Sequence, residues 1–315
     1  MRFFHKFSSI NYKFFGLVDN IMISCKRKQK FTKAINYLSK YLYVLDNQNI
    51  IPISDKYPDK IWQCWFQGRD NMPDIVKKCT DSVRKYHGDD VIFLENNNLE
   101  SYIKLPDYIV KKHRNGIIPH ANFSDMLRLS LLAKYGGCWI DSTILLTGKI
   151  PNDILNSDFF TFRSLKSGVL NNIDNLKQYN LYCNNFNSDI SIESPYFIKA
   201  NAGNEIINGV LSLFFEYWKH ENRVIDYLMI DKFFLLTVLY NRKNKEQFLN
   251  MPVYYLENVL LLQHAQFEEF NQDIYEQIKS TTTIHKMTHK NLKRNPSKNS
   301  FLQYIINNDE SSLPV

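Results

Sequence analysis

Four side chains in one short stretch carry most of the chemistry this sequence can offer: Asp125, Arg128, Asp141 and Thr143. Asp125 and Arg128 are spaced i and i+3 in a helical pattern, so both project from one face. A carboxylate accepts hydrogen bonds from sugar hydroxyls, and a guanidinium binds a phosphate or orients a carboxylate with paired donors. The same spacing also makes a plain Asp–Arg ion pair on a solvated helix, which is its commoner meaning. Asp141 follows Gly136-Gly137 and the apolar run Cys138-Trp139-Ile140. An acid there would stand at the carboxyl end of a short strand, the edge of an open α/β sheet where ligands bind. Thr143, two residues on, lies on the same side of an extended chain, and the two could hold a divalent ion against a diphosphate. The plainer alternative is a turn in which Asp141 caps backbone amides.

The elements that must position these residues can be read from periodicity and punctuation. Asn122 or Ser124 caps a helix whose residues Met126, Leu127, Leu129, Leu131, Leu132 and Ala133 form a broad apolar face. Tyr135 ends it before Gly136-Gly137. Ile144 to Leu146 resumes a strand before Pro151. Upstream, Lys60 to Gln67 reads as a buried strand closed by Gly68, Pro73 to Tyr86 as a helix, and Asp90 to Glu95 as a second strand. Strand, helix, strand at this spacing implies a βαβ unit and a parallel sheet, hence an α/β nucleotide-binding architecture. Further strands are expected at Phe159 to Phe162 and Tyr196 to Lys199. Helices are expected from Asn204 to His220, Val224 to Tyr240 and Val259 to Phe270. Tyr227 and Asp231, i and i+4 in the second of these, could face a substrate or make a hydrogen bond at the core edge.

Composition sets the outer bounds. The 315 residues are 44% hydrophobic and 23% charged, an ordinary globular balance. Five scattered cysteines without a C-x-x-C pair argue against a disulfide framework or a zinc site and for a reducing compartment. No run of about 18 apolar residues predicts a membrane span, and the first residues lack the apolar core of a signal peptide. A net charge of +7 favours anionic partners. Residues 1–56 read as a helical N-terminal appendage, in which Phe3, Phe4, Phe7, Phe14 and Phe15 beside basic residues suit contact with a membrane surface. Residues 291–315 read as a basic C-terminal tail.

Taken together, N-x-S-D-x-x-R followed by Tyr-Gly-Gly-x-Trp-x-Asp-x-Thr resembles the core of the DXD-type sugar transferase superfamily, and in particular the capsular polysaccharide synthesis glycosyltransferases. The string Lys60 to Gly68 is similar to that group's first-strand motif, and Ile284-His285-Lys286-Met287-Thr288-His289-Lys290 to its closing motif. The resemblance covers about residues 58 to 290. It implies a GT-A-like domain over 57–290 with a mostly parallel central sheet, plus helical additions at both ends. It implies a metal-dependent glycosyltransferase of the hexosyltransferase type, using Mn²⁺ or Mg²⁺, that moves a sugar with retention from a nucleotide diphosphate, UDP favoured. The acceptor would be a cell-surface polysaccharide or a lipid-linked oligosaccharide, met in the cytoplasm at the inner face of the membrane.

Carried over by position, Trp65 would stack on the nucleobase and the strand near Gln63 would read its edge. Ser124, Asp125 and Arg128 would bind the donor sugar, with Trp139 near the ribose. Asp141 matches the first DXD aspartate, while Thr143 stands where the second would be. Asp141, Thr143 and His285 are the metal ligands the resemblance implies, and Asp141, Asp125 and Arg128 the catalytic set. Arg128 with Lys286 or Lys290 would stabilise the departing diphosphate. Thr143 leaves open an alternative, a catalytically inactive nucleotide-sugar-binding scaffold. A nucleic-acid-binding protein is disfavoured, because no recognition signature accompanies the basic charge.

Overall fold

The computed structural model describes residues 29–48, 51–163, 195–290 and 297–308. A five-stranded sheet of order β2-β1-β3-β6-β5 forms its centre. Its strands are β1 (Ile61–Cys64), β2 (Val91–Leu94), β3 (Gly137–Ile140), β5 (Phe159–Phe160) and β6 (Phe197–Ala200). A separate two-stranded sheet pairs β4 (Ile144–Leu146) with β7 (Ile284–Lys286). Beyond the helical residues 29–38, the helices of eight or more described residues are α1 (Asp74–His87), α3 (Asp107–Arg114), α4 (His120–Tyr135), α6 (Glu205–His220), α7 (Met229–Tyr240), α8 (Arg242–Asn250), α9 (Leu256–Ala265) and α10 (Gln272–Thr281). Shorter ones are α2 (Leu99–Tyr102), α5 (Asn152–Leu155) and α11 (Phe301–Asn307).

The α/β class and the βαβ start hold, but the central sheet is mixed. β1 runs parallel to both β2 and β3, with Ile61 opposite Val91 and Cys138. β6 then runs antiparallel to β3, from Phe197 opposite Ile140 to Ala200 opposite Gly137, and β5 antiparallel to β6. Phe197 to Ala200 is buried at every position, Lys199 included, and burial on both faces does not distinguish the two directions. The reversal has a local effect: it brings Pro195 and Tyr196 to the end of β3 where Asp141 stands, and the Asp141 amide donates to the Tyr196 carbonyl at 2.8 Å.

Both faces of the sheet are covered, so every residue of β3 is buried. Trp62, Trp139, Ile198 and Ala200 pack in one core with α4, α6 and α7, while Ile61, Cys138, Ile140 and Phe197 pack in another with β4, α9 and Val83 of α1. Alternation along β3 thus sends Trp139 to the α4 side and its neighbours to the other. A third core joins α1, α9, α10 and α11 through Cys79, Leu262, Tyr275 and Phe301.

Several boundaries differ from those read in the sequence. α4 starts at His120 behind Pro119, so Asn122 and Ser124 lie inside it and neither caps it. Proline in the extended conformation opens a helix without a side-chain cap. α7 starts at Met229 rather than Val224, so Tyr227 precedes the helix; it is 64% exposed while Asp231 is buried. β1 stops at Cys64, where the chain turns and the Gly68 amide bonds to the Trp65 carbonyl. At the N-terminal side, residues 29–38 are helical and continue as a 3-10 helix, Ser39–Leu45. Leu38, Tyr41 and Leu45 join the core of α6 and α7. Phe3, Phe4, Phe7, Phe14 and Phe15 lie outside the described residues. Within 291–315, α11 buries Phe301, Leu302 and Ile305 against the third core. No helix among the described residues is long and apolar enough to cross a membrane.

The Gly136-Gly137 pair makes the α4-to-β3 connection possible. Both have positive φ, 68° and 91°. A Cβ on Gly137 would lie 2.1 Å from the Lys60 carbonyl oxygen, backbone that cannot yield without opening β1 from β3. Gly137→Ala is therefore expected to cost about 3 kcal/mol or more, since strained φ and overpacking act together. Urea unfolding of the two proteins measures this; a loss below about 1 kcal/mol would show that the contact relaxes easily.

Candidate functional site

The site forms where α4, the end of β3, the start of β6 and β7 meet. α4 presents Asp125 and Arg128 one turn apart, and the Asp125 Oδ1 lies 3.4 Å from the Arg128 guanidinium. The pair is not on a solvated face, since both side chains are 8% exposed. Arg128 also donates to the Pro195 carbonyl, and lies 3.4 Å from both the carbonyl and the hydroxyl of Ser124. Its guanidinium sits 5.1 Å from the Trp139 ring centroid. On its far side it reaches the Asp141 Oδ1 at 3.5 Å. One planar cation thus links the helix carboxylate to the strand-end carboxylate.

Asp141 is held from two directions. Trp139 Nε1 donates to its Oδ1 at 2.9 Å, while the Lys286 ammonium approaches Oδ2 at 3.4 Å. Lys286 donates to the Thr143 hydroxyl at 2.5 Å and lies 4.8 Å from the Tyr196 ring centroid. Residues 141–143 form a turn rather than an extended segment, closed by the Ile144 amide on the Asp141 carbonyl at 2.9 Å. The turn is fixed by the Ser142 hydroxyl, which donates to the Cys64 carbonyl at the end of β1. Asp141 and Thr143 therefore converge on one ammonium through the turn, not through strand alternation. Lys286 itself is delivered by the register of β7 on β4, opposite Ile144, and by the Met287 amide on the Thr143 carbonyl at 2.8 Å.

Two carboxylates and two cations make a group of zero formal charge, which is how buried charges avoid most of their desolvation cost. Burial pushes Asp125 up to about 6 against the pull of Arg128, with the Asp141 charge adding to the rise. Burial also acts to raise Asp141, but Arg128 and Lys286 outweigh it and hold that carboxyl below its ordinary value. Burial lowers Lys286, and the Asp141 charge opposes the fall. The two acids are thus set apart by environment, a separation common at functional sites. Asp141 is the more open at 27% side-chain exposure, with Lys286 at 17%. Cys64 sits beside this group, but burial pushes its thiol up to about 12, so it offers no thiolate nucleophile.

The remaining sequence candidates are placed differently. Trp139 is buried and orients Asp141 through its indole N–H, so its ring lines no opening. Trp65 is half-buried, its ring 5.4 Å from and edge-on to His289 of the closing motif, with its own indole N–H unpartnered. Gln63 is fully buried, with both amide atoms unpartnered. His285 is not brought to Asp141 and Thr143. Strand alternation turns it away from Lys286, its Nε2 lies 3.0 Å from the Thr147 hydroxyl, and burial holds it neutral, down to about 3. Asn122, the first residue of the N-x-S-D-x-x-R string on α4, lies 3.5 Å from Asp125; Ser142, Pro195 and Tyr196 complete the surroundings, brought by backbone turns that no side-chain motif announced.

The donor set does not fit the divalent ion implied by the DXD resemblance. Of the three ligands expected, His285 is turned away, Thr143 is neutral, and the Asp141 Oδ2 and Thr143 Oγ1 already face an ammonium. Among the described residues, no group of three or more His, Cys, Asp or Glu side chains is placed to hold a metal ion.

The raised Asp125 carboxyl gives a pH dependence of known sign. The stabilisation that comes from its protonated form is complete below the ordinary carboxylate value and is lost as pH rises through about 6. In Asp125→Asn that component is absent. Unfolding free energies measured from pH 4 to 7 should therefore fall more steeply in the natural protein, by up to about 3 kcal/mol over the window. Parallel profiles would show that Asp125 does not titrate there.

None of the curated proteins matches the chain. Among solved structures it is similar to one titled "PaToxG Glycosyltransferase", at 14% identity over 69% of this chain and 80% of that one, with a TM-score of 0.40. The family described as "Capsular polysaccharide synthesis protein" matches residues 13–305, which takes in α4, the Gly-Gly turn, Asp141 and the closing motif. With that match spanning nearly the whole sequence, the chain belongs to the capsular polysaccharide synthesis protein family.

Proposed function

We infer that this chain is a glycosyltransferase, taking a sugar from a nucleoside diphosphate donor, UDP favoured, and adding it to a cell-surface polysaccharide or a lipid-linked oligosaccharide. The observation that carries the reading is the meeting of Asp125, Arg128, Asp141 and Lys286 at the carboxyl edge of the sheet, in a member of a capsular polysaccharide synthesis family. Diphosphate departure develops negative charge, and Arg128 and Lys286 are fixed cations within reach of the same carboxylate. Asp141, held ionised, favours the oxocarbenium-like sugar that forms as the bond breaks. Trp65, beside the end of β1, supports a base-stacking wall, and Asp125 with Ser124 supports binding of the sugar hydroxyls. Transfer proceeds with retention, so the acceptor enters on the face the diphosphate leaves. The protein works in the cytoplasm at the inner membrane face, where lipid-linked acceptors are presented and its basic charge is attracted to anionic headgroups.

Incubation of the full chain with a panel of nucleotide sugars tests this reading, because donor hydrolysis does not need a known acceptor. The natural protein is expected to release nucleoside diphosphate from one of them. Asp141→Asn should lower kcat/KM by about 100-fold or more, equivalent to roughly 2.7 kcal/mol of transition-state stabilisation, while its thermal unfolding stays cooperative. Full activity in that variant would remove Asp141 from the chemistry.

A further inference from the structure

We propose that the Lys286 ammonium does in this chain what a divalent cation does in a two-aspartate site, so that the donor diphosphate is bound and released without metal. The inference deepens the glycosyltransferase reading and rests on it. Three observations on the same few atoms support it. A hydroxyl, Thr143 Oγ1, stands where a second carboxylate would be, and that hydroxyl accepts from Lys286 at 2.5 Å. The Asp141 carboxylate is faced by a cation at each oxygen, Arg128 at Oδ1 and Lys286 at Oδ2. A divalent ion on Asp141 would therefore sit against two fixed positive charges, with one anionic protein ligand and no histidine to offset them, since His285 faces Thr147.

Lys286 is also built to remain there. Its strand is paired to β4 at Ile144, and the next amide, Met287, is bonded to the Thr143 carbonyl. Its ammonium lies 4.8 Å from the Tyr196 ring centroid, and the side chain is 17% exposed, so the charge is held in place rather than waving in solvent. A lysine with three donors can keep Thr143 and Asp141 while giving its third hydrogen to a phosphate oxygen.

In the step itself, the bond between the anomeric carbon and the diphosphate oxygen breaks, and its electron pair stays on that oxygen. Lys286 and Arg128 neutralise the charge without transferring a proton. The acceptor hydroxyl forms the new bond to the anomeric carbon and passes its proton to the departing diphosphate, so the products are the glycosylated acceptor and the protonated nucleoside diphosphate.

The test is calorimetric titration of the full chain with UDP, GDP, CDP and ADP in turn, each in EDTA and in Mn²⁺. The expected result is a nucleotide that binds equally in both buffers, within about threefold. Lys286→Met should weaken its binding about tenfold or more in EDTA, the loss of one charge-assisted contact, and Lys286→Arg should restore most of it. Binding that appears only with Mn²⁺ overturns the inference and leaves the glycosyltransferase reading standing. Equal affinity in Lys286→Met also overturns it. If none of the four binds in either buffer, the nucleotide-donor reading falls and takes this one with it. Should the methionine variant fail to melt cooperatively, the two-buffer comparison on the natural protein and Lys286→Arg still decides.

Discussion

The interaction on which the site depends is the clamp on Asp141. Its carboxylate is oriented by the indole of Trp139, bridged through Arg128 to Asp125 and met by Lys286 from β7. Four charges taken largely out of water are tolerable only when each has a partner and the sum is small. That requirement explains why an arginine rather than a lysine sits in the middle. A planar guanidinium can touch Asp125, Asp141, Ser124 and the Pro195 carbonyl at once, which a single ammonium could not. Lysine holds the outer place, where one compact charge faces both the Asp141 Oδ2 and the Thr143 hydroxyl.

The rest of the fold delivers these groups from distant parts of the chain. α4 supplies the acid and the guanidinium. The Gly136-Gly137 turn lets β3 enter the sheet tightly against Lys60, which sets how far Asp141 projects. The antiparallel β6 contributes the carbonyls of Pro195 and Tyr196, and the β4–β7 pair contributes Lys286. A wholly parallel sheet would begin its next strand at the opposite edge and leave the Asp141 amide without the Tyr196 carbonyl. The mixed topology is therefore part of the site's construction.

Much of this was legible in the sequence, and the exceptions have physical causes. The helix that ends at Tyr135, its glycine stop, the strand at Trp139 and the acid at its end follow from local signals that tertiary packing did not override. The i, i+3 spacing of Asp125 and Arg128 predicted their contact, though not its burial, because their spacing also fits a solvated ion pair. Strand direction was not legible, since Phe197 to Ala200 is buried on both faces either way. Helix starts were misread where proline did the work expected of Asn122 and Ser124. The largest gap was His285 against Lys286. Both stand in the closing motif, and strand alternation decides which one faces Asp141; a motif does not state its own register, and only the pairing of Ile144 with Lys286 fixes it.

That last pairing has a temporal side. β4 and β7 are joined by three residue pairs across some 140 positions of chain, Leu145 with His285 among them. Contacts between segments so far apart form late and slowly, because a large loop must close first. During synthesis, α4 and β3 emerge with Arg128 and Asp141 long before the lysine exists to join them. The nascent polypeptide therefore carries a half-built charge cluster, two carboxylates against one guanidinium, until β7 has been translated. The excess negative charge is cancelled, and the clamp on Asp141 closed, only once residues 284–286 are present to pair with β4.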